Sequence, residues 1–184
     1  AMITDFVAER GGGLLMLGSA TLTGRGFAGS SVGNVVPLEL SGRLRIDPVD
    51  AATKTHTVVL TDDGAVHPMM QLGQTVSETR EQWSEVPPLG GNVPIGLPKP
   101  GTSVLARILV RRVGSQPLVA IQRYGSGRSM IFAGEASWRW KMLLPAKVRT
   151  YDTFWGQVAR WLAASAPEQL SVTTVGSRSV GDRL

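Results

Sequence analysis

At 184 residues, with 42% hydrophobic and 18% charged side chains, the chain has the balance of one globular domain and not of a disordered segment. It has no cysteine, which excludes disulfides, thiolate nucleophiles and most structural zinc sites and leaves its compartment open. No apolar run approaches the roughly 18 residues of a membrane span and no signal-peptide pattern opens the sequence, so it reads as a soluble domain.

Ile3, Phe6, Val7 and Arg10 follow helical spacing with one apolar side, and Gly11 suits the left-handed position that ends a helix. Leu14 to Leu17 is apolar without alternation, the pattern of a strand covered on both faces. A helix running straight into such a strand is the second half of a β-α-β unit. The reading therefore expects the leading strand to be missing and the sequence to be a piece of a longer protein. The corner that follows, Gly18-Ser19-Ala20, holds a small polar residue where open α/β folds place their chemistry.

Gly24 to Asn34 reads as a loop holding a short helix. Val35 to Leu40, Leu44 to Ile46 and Thr57 to Thr61 read as strands, the last closed by the turn Asp62-Asp63-Gly64. His67 to Leu72 predicts a short helix, Glu78 to Glu85 a longer one with Trp83, and Val93 to Gly101, with three prolines, an irregular stretch. Ser103 to Val110, Pro117 to Arg123 and Arg128 to Ala133 then read as three strands whose short links make them antiparallel hairpins. Tyr151, Phe154, Trp155, Val158, Trp161 and Leu162 give the clearest helix, with Thr150 as N-cap, Asp152 in the first turn and Pro167 as its stop. From Thr173 the tail is polar.

Several motifs have plain explanations. Gly24-Arg25-Gly26-Phe27-Ala28-Gly29, with Asp47 and Asp50 downstream, matches a dinucleotide fingerprint, but it neither leaves a strand directly nor opens a good helix. Gly29-Ser30-Ser31-Val32-Gly33 matches a serine nucleophile elbow without the buried strand that an elbow requires. His56 and His67, with Asp62 and Asp63 between them, form no recognised metal-ligand spacing. The net charge of +5 comes largely from the second half, where Arg139-Trp140-Lys141 resembles the aromatic interleaving of single-strand binders. Without a dense basic run or a known motif, solvated faces explain these residues.

Taken in order, Phe6 through Gly18, Gly64 with His67-Pro68, and Trp83 with Pro87-Pro88-Leu89 resemble a domain of the class I glutamine amidotransferase-like superfamily. Gln122 through Arg128, Trp138-Arg139-Trp140, Phe154-Trp155 and Arg160-Trp161-Leu162 extend the likeness. It is similar to the version embedded in large bacterial membrane-associated proteins. The resemblance implies an α/β flavodoxin-like three-layer sandwich over residues 3–166, mainly a parallel sheet with an antiparallel hairpin extension, and a partly mobile C-terminal strand or tail over 167–184. In active members the strand corresponding to Leu14–Leu17 leads into a cysteine nucleophile, and a histidine and a glutamate after a late strand complete the triad. Here the cysteine position falls at about Gly18-Ser19, and the late strand is followed by Gly134-Glu135-Ala136-Ser137-Trp138 with no histidine.

An unactivated Ser19 hydroxyl is a poor substitute for that nucleophile. The expectation is a non-catalytic binding or assembly module of a larger envelope-associated protein, with no cofactor and no metal. Its site would be Gly18, Ser19, Ala20, Glu135, Trp138 and Arg139, whose turn can offer backbone N–H groups to a small anion or a carbohydrate hydroxyl. Partners would be other domains of the parent protein, with a homodimer through an open sheet edge. The alternatives are a hydrolase using Ser19 or Ser31 with Glu135 or His67, and a nucleic-acid binder using the arginine-rich half.

Overall fold

The structure, a computed structural model, describes residues 2–18, 22, 27, 29–40, 55–90, 95–110 and 114–164. The readings made for Ser19, Ala20, Gly24 to Gly26, Leu44 to Ile46 and the tail beyond Ala164 lie outside the described residues.

Helix α1 (Met2–Ala8) ends as expected, with Gly11 at φ 69°. Only Val7 of its apolar side is buried, while Ile3 and Phe6 remain substantially exposed. Strand β1 (Gly13–Leu17) follows directly, and where full cover was expected Leu14, Leu15 and Met16 are partly buried and Leu17 is exposed. Among the described residues it stands at the margin of a five-stranded sheet of order β1-β9-β8-β7-β4, with one strand neighbour. The other members are β4 (Val58–Leu60), β7 (Ser103–Val110), β8 (Gly114–Tyr124) and β9 (Gly127–Phe132). β7, β8 and β9 fall where the sequence and its short links place them, with β8 starting three residues earlier.

The α/β class stands, and the balance of strand directions is shifted toward the hairpins. Among the described strands of this sheet, β1 and β9 run parallel, with Leu17 level with Phe132, and the other three neighbour pairs are antiparallel. A link as short as Gly125-Ser126 can only reverse the chain, whereas parallel pairing needs a long crossover.

Alternation along β9 sends Met130 and Phe132 to one face of the sheet and Ile131 and Ala133 to the other. The first face is packed by an aromatic cluster of Trp83, Phe132, Trp140 and Phe154, with edge-on ring contacts such as 5.4 Å between Trp83 and Phe154. Phe132 belongs to β9, and the other three rings come from α4 (Val76–Ser84), α5 (Arg139–Leu143) and α6 (Thr150–Ala163). The opposite face is aliphatic and is covered by Leu38 and Leu40 of β2 (Leu38–Leu40) and by the approach to it from α2 (Ser31–Val35). Ser129 and Gln122, paired across β9 and β8, both donate to the Val35 carbonyl at 2.6 and 2.7 Å, which ties α2 down to the sheet.

Two local readings are corrected. Asp62-Asp63-Gly64 opens α3 (Asp62–Val66) instead of making a turn, because Thr61 Oγ1 accepts the Gly64 N–H at 2.9 Å and caps a helix. The proline-rich stretch contains β6 (Gly96–Pro98), which pairs antiparallel with β2. Among the described residues β6 pairs only with β2, and Pro98 is tolerated at the end of such a two-stranded ribbon. Strand β3 (Thr55–His56) pairs with β5 (Leu89–Gly90), and His67 caps a 3-10 turn, Pro68–Met70.

Candidate functional site

The carboxyl ends of the parallel pair β1 and β9 form the corner to which the sequence pointed. The ladder continues one residue past Leu17, the Gly18 N–H donating to the Phe132 carbonyl at 3.1 Å. Gly18 then takes φ 104°, a conformation that suits glycine, and the chain leaves the sheet. Ser19 and Ala20, the next two candidates, lie outside the described residues.

Strand β9 leaves through buried Ala133 and Gly134 into partly buried Glu135. Ala136 follows at φ 59°, the one non-glycine residue with positive φ among the described residues. An alanine held there costs about 1 kcal/mol or more, the kind of strain found where a turn must aim a side chain. From it the chain winds into α5 through bonds from Arg139 N–H to the Ala136 carbonyl and from Trp140 N–H to the Ser137 carbonyl, both 3.0 Å.

This winding separates the two neighbouring tryptophans. Trp140 is fully buried and donates through Nε1 to the Pro87 carbonyl at 2.9 Å, so it belongs to the core. Trp138 is 59% exposed. Arg139, partly buried, places Nη1 beside β5, 3.7 Å from where a Cβ on Gly90 would stand. The structure thus brings Gly18, Glu135, Trp138 and Arg139 to one end of the sheet.

One group at this end was not found by sequence reasoning. Trp155, read as part of the α6 core stripe, packs its ring 5.4 Å from Phe132, and its indole N–H is buried without a hydrogen-bond partner among the described residues. A buried donor left unpaired is uncommon and costly, and a water or ligand oxygen is the usual partner. Nothing in the helical spacing distinguishes it from the other rings.

The catalytic alternatives fare differently. His67 lies at the other end of the sheet, its ring edge-on to Trp161 at 6.2 Å, where Arg128 near the start of β9 also stacks on Trp161 and donates to its carbonyl at 2.8 Å. Burial, and secondarily the Arg128 charge, hold the His67 pKa below the ordinary imidazole value. Its Nδ1 accepts the Met69 N–H at 3.2 Å. His67 is therefore separated from Glu135 by the length of β9. His56 is buried, with Nδ1 donating to the Leu109 carbonyl at 2.9 Å, a packing role. Ser31 opens the short helix α2, for which Ser30 Oγ is the cap, accepting the Gly33 N–H at 3.0 Å.

Among the described residues no group of three His, Asp or Glu side chains is placed to hold a metal ion. Of the basic residues in the second half, Arg128 is engaged with Trp161, and Lys141 and Arg149 are both drawn to Asp152.

This layered sheet, with a strand-to-turn corner at its carboxyl end, defines an α/β protein of the amidotransferase type. The model of the family described as "Putative glutamine amidotransferase" matches residues 1–164, and the chain belongs to that family. It is similar to the cytoplasmic protein STM1381 from Salmonella typhimurium LT2, at 28% identity and a TM-score of 0.63, over 88% of this chain and 59% of that one. The cytoplasmic protein STM3548 from Salmonella typhimurium shares the fold at 16% identity and a TM-score of 0.59, over 87% of this chain and 58% of that one. A beta-galactosidase from Rahnella sp. R3 shares it at 14% identity and a TM-score of 0.52, over 90% of this chain and 20% of its own. The chain thus spans under two thirds of each of these structures. No curated protein matches it.

Proposed function

We propose that the chain is a non-catalytic, glutamine amidotransferase-like binding or assembly module of a larger protein, taking a small anion or carbohydrate at the corner of Gly18, Ser19, Ala20, Glu135, Trp138 and Arg139. The observation that carries the reading is the turn after β9. That turn carries no histidine, and it holds Ala136 in a strained left-handed conformation ahead of an exposed Trp138 and a partly buried Arg139. A flat exposed indole next to a guanidinium suits stacking on a sugar face or pairing with a carboxylate or phosphate.

Glutamine hydrolysis needs a nucleophile, a base and an oxyanion hole together. This chain contains no cysteine, and neither histidine follows β9. The larger parent is envelope-associated in this reading, although the two Salmonella relatives are titled cytoplasmic proteins. Among the described residues no helix is long and apolar enough to cross a membrane, so other parts of the parent would supply the attachment.

The test is calorimetric titration with a set of monosaccharides, disaccharides and small carboxylates, beside an assay for ammonia released from glutamine. Saturable binding that weakens about tenfold or more in Trp138→Ala and Arg139→Ala, with no ammonia formed, is the expected result. Ammonia release abolished by Ser19→Ala would overturn the reading in favour of a serine enzyme. Fractionation of cells that express the whole parent protein tests the envelope element.

A further inference from the structure

We propose that the ridge from Lys141 to Arg149 makes a peripheral contact with an anionic lipid surface. The inference rests on the envelope-associated reading of the parent protein and on no ligand at the corner.

The ridge is shaped by the way α5 is anchored. Trp140 is fully buried, and Leu144, four residues on, packs against the same core. That spacing fixes the inner side of the helix, and Met142, midway between the two, is 71% exposed on the other side. Leu143 beside it is 58% exposed. The chain then turns, the Val148 N–H donating to the Pro145 carbonyl at 2.8 Å, and re-enters the fold at buried Thr150. Of residues 141–149 all but Leu144 are exposed. A single apolar side chain in water is ordinary, whereas Met142, Leu143 and Val148 on one short ridge pinned at both ends mark a contact.

The surrounding charge selects the occupant. Residues 136–151 hold four cations, Arg139, Lys141, Lys147 and Arg149, and no acid. Asp152, which draws Lys141 and Arg149, and Glu85, which lines a cavity together with Lys147 and Arg149, offset them in part and leave the cations in excess. Protruding apolar side chains flanked by lysine and arginine match the boundary between acyl chains and anionic headgroups, a fluid surface that needs no complementary groove. A second copy of this chain would set cations against cations. Single-stranded nucleic acid would need rings to stack on, and residues 141–149 contain none.

Flotation of the chain with vesicles tests the contact, phosphatidylcholine alone being compared with phosphatidylcholine that holds about one-third phosphatidylglycerol. Binding is expected to the mixed vesicles, weakening in high salt, with little to phosphatidylcholine alone. Met142→Ser combined with Leu143→Ser is expected to weaken it about tenfold or more, and Lys147→Glu about tenfold. All three side chains are exposed, so unchanged melting temperatures are expected and serve to check the fold of each variant. No binding to the mixed vesicles would overturn the contact, as would wild-type affinity in both variants. Equal binding to both kinds of vesicle would overturn the part assigned to charge. Binding to an acidic amphipathic peptide in the absence of vesicle binding would give the ridge to a protein partner and overturn the lipid assignment. A parent protein found in the envelope fraction while the chain ignores vesicles would remove this contact alone, which keeps its failure distinct from that of the envelope reading.

Discussion

Gly64 shows how one missing methyl group positions an element. A Cβ there would stand 1.8 Å from the Leu105 carbonyl oxygen, a backbone atom that cannot swing aside, so α3 lies against β7 only because residue 64 is glycine. Gly64→Ala is expected to cost about 3 kcal/mol, read as a lower urea midpoint at unchanged slope. An unchanged midpoint would mean that α3 does not pack as described. The composition could not reveal this, since 22 glycines look alike in the sequence and only the neighbouring backbone separates them. Ala136 makes the complementary point. Nothing about an alanine announces a left-handed residue, whereas Gly11 and Gly18, also at positive φ, stand where glycine invites that reading. Trp138 and Trp140 were equally hard to divide, because a two-residue offset on a short helix turns one ring outward and the other into the core.

At the scale of elements, α6 was legible along its length and not at its head. Its apolar spacing repeats over the whole helix, and Phe154 and Val158 are buried where that spacing places them. Thr150 resembled a cap because threonine usually serves as one; the structure instead makes it the first helical residue, with its side chain enclosed. β6 was hidden by its prolines, and α3 by an Asp-Asp-Gly run that favours turns until Thr61 caps it. The candidate corner was legible as a place, from the apolar run that ends at Leu17. Its groups were only partly legible, because the burial of Trp155 depends on Phe132, a residue of a distant strand. The tail end of α6 carries a consequence for acid stability. His67, packed edge-on to Trp161, has its pKa lowered by burial first and by Arg128 second, so the unfolded chain holds the proton more tightly. The neutral form's contribution is complete above the ordinary value of about 6.5 and is lost as pH falls through the lower folded value. The melting temperature is expected to drop from about pH 7 to about pH 5, and His67→Asn, which retains a capping acceptor for the Met69 N–H, to flatten that drop. Equal pH slopes in the two proteins would remove His67 from the account.

For the molecule as a whole, the sheet is asymmetric in its margins. Among the described residues β1 pairs only with β9, and its sequence, Gly-Leu-Leu-Met-Leu, has none of the charges or prolines that usually blunt an edge. We propose that two copies of this chain pair along that edge. Sedimentation equilibrium is expected to show dimers that Leu17→Lys reduces, the native leucine being 54% exposed; a monomer at every concentration would sink the idea. The two faces of the sheet are unequal as well, since the helical side holds nearly all the large rings. Of the five tryptophans, Trp83, Trp140, Trp155 and Trp161 belong to that packed side, and Trp138 alone stands largely in water. The protein is thus fitted with its own optical probe. Collisional quenchers reach Trp138 most readily, at the corner where a ligand would sit, and the fully buried Trp83 and Trp140 signal the loss of the core. Occupancy and unfolding can therefore be followed as separate light signals from one unlabelled sample.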